Sequence, residues 1–349
     1  MTRLTLSASF QLKGLSVKNR IVMPPMCQLS VVAEDGTPND WHFVHYVSRA
    51  IGGAGLIIVE MTNVEPDGRV VNQDLGLWSD EQIPAYARIV SEVKKYGTAI
   101  GIQIAHAGRK AEDADTPVAP SAIPYSEAYK TPRALSTEEV KKQVIQFREA
   151  ARRAVVAGFD TIELHGAHGY LLHQFHSPSS NHRDDEYGKD LARFGVEVIE
   201  AVKSVIPAQM PLIMRLSAVE YRDGGYGLDH IIKIAERYRA VGVDLFHISS
   251  GGDGPIGANK PGNHAGYQVP LARAIKQALD VPVIAVGNLD EPEVAEATLA
   301  NGDADLVAIG RGMLNDPYWS LRAIEKIEGK IVPPYQYKPG FARVRQANS

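Results

Sequence analysis

Cysteine is almost absent from this chain: Cys27 stands alone among 349 residues. One thiol cannot form an intrachain disulfide, and it cannot build a cysteine-based zinc cage or iron–sulfur cluster. Charge of one sign is also missing. The formal net charge is −4, and lysine and arginine gather on no single face. That excludes nucleic acid and anionic membrane surfaces as main partners. No apolar run approaches the length of a membrane span, and the N-terminus has no basic segment leading into an apolar signal core. A cytoplasmic protein is expected. Also lacking is a Gly-x-Gly-x-x-Gly after the first strand-like run, which removes the main support for an open dinucleotide-binding sheet.

What is present is apolar and periodic. Hydrophobic residues make up 44% of the chain and charged residues 22%, a balance that allows a large buried core. Eight apolar, β-branched runs recur at Arg20–Met26, Gly55–Glu60, Ala99–His106, Thr161–His168, Pro211–Ser217, Leu245–Ser250, Pro282–Gly287 and Leu306–Arg311. Most are continuously apolar, as parallel strands covered on both faces should be. Helical spacing fills the gaps. It is clearest over Ser136–Gly158, where Val140, Val144, Phe147, Ala151, Ala154 and Val155 share a face. Ser136 and Glu139 have capping-box spacing, and Gly158 suits the left-handed stop. A weak repeat, Ala157-Gly158-Phe-Asp160, Val241-Gly242-Val-Asp244 and Asn301-Gly302-Asp-Ala-Asp305, precedes three of the runs. It reads as the joint between one βα unit and the next.

The pattern predicts an α/β fold, a (β/α)8 TIM barrel forming one domain over residues 1–349. Two additions are expected. Phe10–Lys18 reads as an N-terminal β-hairpin (about residues 8–19) turning at Lys13-Gly14, and Asp113–Thr131, rich in Pro, Ala and Ser, as an extended loop after strand 3. A C-terminal tail begins near residue 330.

In such barrels the chemistry lies at the carboxyl ends of the strands. The most telling stretch there is Thr161-Ile-Glu-Leu-His165-Gly-Ala-His168-Gly-Tyr170, which places two imidazoles and a phenol at the mouth of the fourth strand. These are hydrogen-bond donors and a proton source. Ordinary polar loop residues and a metal site are the competing readings. The second lacks a third ligand clearly placed beside the pair, so no metal is expected. Gly287, Gly310 and Arg311, after the last two strands, suit a phosphate cradle, although such glycines also serve tight turns. Arg215 ends an otherwise apolar strand, so it either faces the mouth or is paired within the fold. Cys27, after Pro24-Pro25-Met26, fits a small core residue and a site thiol equally. Lys110 best fits a solvated loop charge.

With those residues in view, the chain resembles the old yellow enzyme family of flavin-dependent ene-reductases, in particular the bacterial cysteine-containing branch related to xenobiotic reductases. The likeness runs from about residue 10 to 335. It is carried by Val17-Lys-Asn-Arg-Ile-Val-Met-Pro-Pro-Met-Cys27, Gln103-Ile-Ala-His-Ala-Gly-Arg-Lys110, Glu163-Leu-His-Gly-Ala-His-Gly-Tyr170, Ser177-Pro-Ser-Ser-Asn-His-Arg-Asp-Asp-Glu-Tyr-Gly188 and Ala308-Ile-Gly-Arg311. One cysteine sets it apart from larger relatives that carry an iron–sulfur cluster.

The resemblance implies a non-covalent FMN and NADPH or NADH as reductant. It places Pro24, Pro25, Met26 and Cys27 along the flavin ring, with Cys27 tuning its potential, and Met61 and His165 beside it. Gln103 is expected at the pyrimidine part, Arg215 near N1 and the C2 carbonyl, and Gly287, Gly310 and Arg311 at the phosphate. His165 and His168 would bind the carbonyl oxygen of an α,β-unsaturated substrate, and Tyr170 would protonate its α-carbon. Quinones, nitro compounds and nitrate esters are further candidate oxidants.

The resemblance also implies a homodimer or homotetramer. Three departures stand out: Leu29 where close relatives carry a substrate-facing tyrosine, Met61 where they often carry alanine, and Gln336-Tyr-Lys-Pro339-Gly-Phe341 where many carry an arginine that reaches a neighbouring subunit. Lys338, Phe341 and Arg343 are the candidates to replace that arginine. Two rival readings accompany this one: a flavin-free phosphate-binding isomerase or aldolase using Lys110, and a non-catalytic FMN store.

Overall fold

The computed structural model describes residues 4–254 and 262–340. The eight apolar runs form eight parallel strands: β1 (Ile21–Met23), β2 (Leu56–Asn63), β3 (Ala99–Ala105), β4 (Thr161–Gly166), β5 (Leu212–Ser217), β6 (Leu245–Ser249), β7 (Val283–Val286) and β8 (Leu306–Ala308). Each pairs with its neighbour in sequence, and β8 returns to β1, with Val307 opposite Ile21, so the sheet closes. Helices α1 (Asp40–Ile51), α2 (Ile83–Lys94), α3 (Thr137–Ala157), α4 (Arg193–Lys203), α5 (Leu228–Ala240), α6 (Val269–Leu279), α7 (Pro292–Ala300) and α8 (Trp319–Glu328) follow the strands in turn. This is the (β/α)8 barrel that the runs predict.

Four strand ends differ from expectation by two residues or more, each for a backbone reason. β4 stops at Gly166, before the left-handed His168, and β8 at Ala308, short of the helix that Arg311 opens. β1 stops at Met23, not Met26, because Pro24 and Pro25 offer no N–H to a ladder. β2 runs past Glu60 to Asn63 through a register shift between Val59 and Thr62, and the short strand Leu75–Gly76 pairs with its end. Elsewhere the local signals hold. The α3 capping box is formed, with Ser136 Oγ accepting from Glu139 N at 3.2 Å and Glu139 Oε2 accepting from Ser136 N at 2.8 Å. Gly158 ends the helix at φ 91°.

The repeated joints have a shared mechanism. Asp160, Asp244 and Asp305 each accept, through Oδ2, the backbone N–H at the start of the preceding strand: Ile100, Leu212 and Val283, at 2.9–3.0 Å. Each also donates its own backbone N–H to the carbonyl of that same residue. One aspartate therefore clamps two consecutive strands at their entry.

At this same end the hairpin strands Phe10–Leu12 and Leu15–Val17 pair in antiparallel fashion around Lys13 (φ 51°) and Gly14. Phe10, Leu15 and Val17 pack on Leu56, Ala99, Leu245 and Leu306, the first residues of four strands, and on Ile213, the second of β5, and stopper the amino-terminal end. Fully burying one such side chain contributes roughly 1.5–3 kcal/mol. A larger apolar layer lies between the strands and the helices. Ligand chemistry is left to the opposite end. The loop after β3 spans that end, and Val118–Ala119 pairs with Arg133–Ala134 within it.

Candidate active site

The stretch after β4 brings its two histidines and its tyrosine together. The His165 ring lies 5.1 Å from that of His168 and 4.9 Å from that of Tyr170, centroid to centroid. His168 takes a left-handed backbone (φ 59°), held by its N–H donating to Ser217 Oγ at 3.0 Å. Gly169 lets the next residue pass close to the β6 loop, since a Cβ there would come within 2.6 Å of the Gly252 carbonyl oxygen. His165 Nδ1 accepts from Ala167 N at 3.3 Å, which puts the ring proton on Nε2. His168 Nε2 lies 2.8 Å from Ser249 Oγ. Burial, and then the Arg215 guanidinium, hold both imidazoles well below the usual histidine range, so they work as neutral donors. Burial raises the Tyr170 phenol.

Beside this cluster opens a cavity of about 330 Å³. Pro24, Pro25, Met26, Arg215, Gly287, Gly310 and Arg311 line it together with Ser249, Gln268 and Asn288. Seven residues named from the sequence for one ligand thus meet in one place. Arg215 is buried and its Nε has no hydrogen-bond partner, which leaves a donor ready for an incoming acceptor. Beneath the mouth lies a polar layer. Gln103 Nε2 donates to Glu163 Oε1 at 2.7 Å, and His247 Nδ1 stands 2.8 Å from Glu163 Oε2.

Cys27 follows the cavity-lining Pro24, Pro25 and Met26 in the chain and is exposed. The protein mass around its sulfur, with Asp74 and Glu60 on the same side, raises the thiol above its ordinary range. Glu60 is itself buried and pushed up to about 7; it accepts from Gln28 N at 2.6 Å and from Tyr46 Oη at 2.8 Å. Met61 is buried in a small cluster with Ala105 and Ala107, against which Tyr170 packs. Leu29 is half exposed at φ 50°. Lys338 and Pro339 are exposed, whereas Phe341 and Arg343 lie outside the described residues.

Three features escaped the sequence reading. Lys110 is not a solvated loop charge. It is half-buried, with Nζ donating to the carbonyls of His168 (3.1 Å) and Gly252 (3.3 Å) and lying 4.8 Å from the Tyr170 ring centroid. Glu163, the second feature, carries a sequence signal only as a lone carboxylate in an apolar run, and it joins Gln103 to His247. Third, His173, Glu220 and Asp253 offer ligand atoms within 4.8 Å of one another. Arg109 already pairs with Asp253 at 2.8 Å, and Ser177 and Ser179 donate into the group. This cluster ties the loops after β3, β4, β5 and β6 together, and the Ser177–Gly188 motif belongs to that brace.

Residues 6–330 match the model of the NADH:flavin oxidoreductase / NADH oxidase family. The chain belongs to this family. It is 46% identical over 333 residues to an NADPH dehydrogenase of Bacillus subtilis, covering 95% of this chain and 97% of that one. It is 44% identical over 339 residues to an NADPH dehydrogenase of Geobacillus thermodenitrificans, covering 96% and 98%. Among solved structures, morphinone reductase superposes with a TM-score of 0.80 at 29% identity, covering 95% of this chain and 92% of that one. The protein is therefore an old yellow enzyme-type oxidoreductase with FMN as cofactor and NADPH as reductant. The flavin-free isomerase or aldolase reading falls with this finding.

Proposed function

We propose that this oxidoreductase reduces the C=C bond of α,β-unsaturated carbonyl compounds. When bound, FMN would supply the hydride-transfer chemistry between NADPH and an electron-poor double bond. The residues present fit that cofactor: a buried Arg215 whose Nε lacks a hydrogen-bond partner and a cavity lined by Gly287, Gly310 and Arg311. On this reading Arg215 and Gln103 hold the ring's pyrimidine side, and Pro24, Pro25, Met26, Cys27 and Met61 line its faces and edge. Gly287, Gly310 and Arg311 take the phosphate.

The observation that carries the proposal is the convergence of His165, His168 and Tyr170, joined to that cavity through the contact of His168 with Ser249 in its wall. His165 offers Nε2–H. Ser250 Oγ already donates to Gln268 Oε1 at 2.6 Å, so the Ser249 hydroxyl hydrogen is better used on His168 Nε2 at 2.8 Å than on Gln268 at 3.3 Å. That leaves the His168 proton on Nδ1. Both rings then donate to the substrate oxygen, where charge builds only as the β-carbon is attacked, so they stabilise the transition state. Tyr170 gives its proton to the α-carbon. Leu29, in place of a phenol, makes the substrate side more apolar and admits quinones, nitro compounds and nitrate esters. A cytoplasmic homodimer or homotetramer completes the proposal.

Rapid mixing tests it. Tyr170→Phe should spare FMN reduction by NADPH and slow reoxidation by an enone by roughly 100-fold or more, the range for a positioned general acid. Two unchanged half-reactions would remove Tyr170 from the scheme.

A further inference from the structure

Proton transfer from Tyr170 breaks its O–H bond, forms a C–H bond at the substrate α-carbon and leaves a phenolate behind. That anion is created in a site where burial, Cys27 and Asp74 all disfavour it. A phenolate buried without a compensating cation is costly. Two cations lie near. Arg215 feels Tyr170, yet it faces Glu163 and lines the cavity proposed for the cofactor. The other is Lys110.

Lys110 Nζ lies 4.8 Å from the Tyr170 ring centroid and 4.5 Å from that of Tyr125, and two carbonyls hold it there. We propose that Lys110 is a positioning residue for α-carbon protonation: its ammonium stabilises the Tyr170 phenolate until solvent returns the proton. A cation over a ring face gains when the ring becomes anionic, so the contact is stronger after proton transfer than before it. The clamp from His168 and Gly252 ties the ammonium to the backbone of the imidazole-bearing loop and of the loop after β6. Tyr125, from the long loop after β3, closes its other side. The remaining charges facing Lys110 are Asp253 and Glu112, which favour its protonated form, and Arg109, which opposes it. Burial outweighs them and brings Lys110 down to about 8. The same ammonium also helps keep His165 and His168 neutral.

This inference rests on Tyr170 being the proton donor, and the experiment separates the two ideas. Pre-reduced holoenzyme is mixed with cyclohexenone, which needs a proton on carbon, or with benzoquinone, which takes protons only on oxygen. Lys110→Met should slow the enone reaction at least about tenfold more than the quinone reaction, and Lys110→Arg should recover most of the loss. In wild type the enone rate should fall as pH rises through about 8, and this limb should vanish in Lys110→Met. In a Tyr170→Phe background, Lys110→Met should add no selective loss.

Equal slowing of both oxidants, or an additive effect in that background, would overturn the proposal. So would an enone rate in wild type that stays flat with pH, a result that does not depend on any variant folding. If Tyr170→Phe slows the enone reaction while Lys110→Met leaves it untouched, only the Lys110 inference fails. If Tyr170→Phe is itself without effect, the donor assignment fails and takes this inference with it.

Discussion

The end of the cavity proposed to take the phosphate gives the sharpest test of cofactor placement. A Cβ added to Gly310 would lie 3.6 Å from Met26 Sδ and 3.8 Å from Pro24 Cγ, ordinary contacts, and its φ of −85° suits any residue. Gly310→Ala should therefore fold normally while placing a methyl group in the space assigned to the ligand. Arg311→Met removes one cation without adding bulk. A charge-assisted hydrogen bond is worth about 1.5–3 kcal/mol, or roughly 10- to 100-fold in affinity. The Arg311 side chain is exposed and already directed at Asn288, so solvent screening favours the lower end. The assay is fluorescence titration of the apoprotein with FMN and, separately, with riboflavin, which has no phosphate. Arg311→Met should weaken FMN about tenfold and leave riboflavin unchanged, whereas Gly310→Ala should weaken FMN without lowering thermal stability. Arg311→Met weakening both ligands equally, or neither, would refute the placement.

Burial raises Glu60 from 4.5 to about 7, so its contribution to stability is complete below pH 4.5 and is lost as pH rises through 7. Glu60→Gln should match wild type at pH 4 and exceed it at pH 8 by up to roughly 3 kcal/mol; parallel denaturation curves across that window would count against the buried carboxyl. Arg109→Met leaves the buried Asp253 with only Ser179 at 3.0 Å, Arg222 at 3.5 Å and His173 at 4.0 Å, and should cost about 3 kcal/mol in urea unfolding. Leu29→Tyr introduces a phenol at a position proposed to face the substrate and should lower KM for cyclohexenone by about tenfold, the worth of one added hydrogen bond, with FMN reduction by NADPH unchanged.

The barrel was legible because its information is local. Continuous apolar runs, the Ser136–Glu139 cap and the glycine–aspartate joints each act within a few residues. The β1 error was local too, since Pro24 forbids the ladder that its apolar neighbours suggest. Lys110 and Tyr125 were illegible because their meaning comes from loops after three different strands meeting in space. Nothing within the Pro-, Ala- and Ser-rich segment marks Tyr125 as a neighbour of Tyr170. Glu163 lies between these cases. A carboxylate between isoleucine and leucine needs partners, and the sequence could not name Gln103 and His247 as the ones it finds.

Asp160, Asp244 and Asp305 fasten consecutive units at the end of the cylinder farthest from the catalytic groups. Assembly and chemistry thus draw on separate sets of residues. Loops at the open rim are held to one another by their own buried cluster of Arg109, His173, Glu220 and Asp253, while closure of the wall stays secured from below.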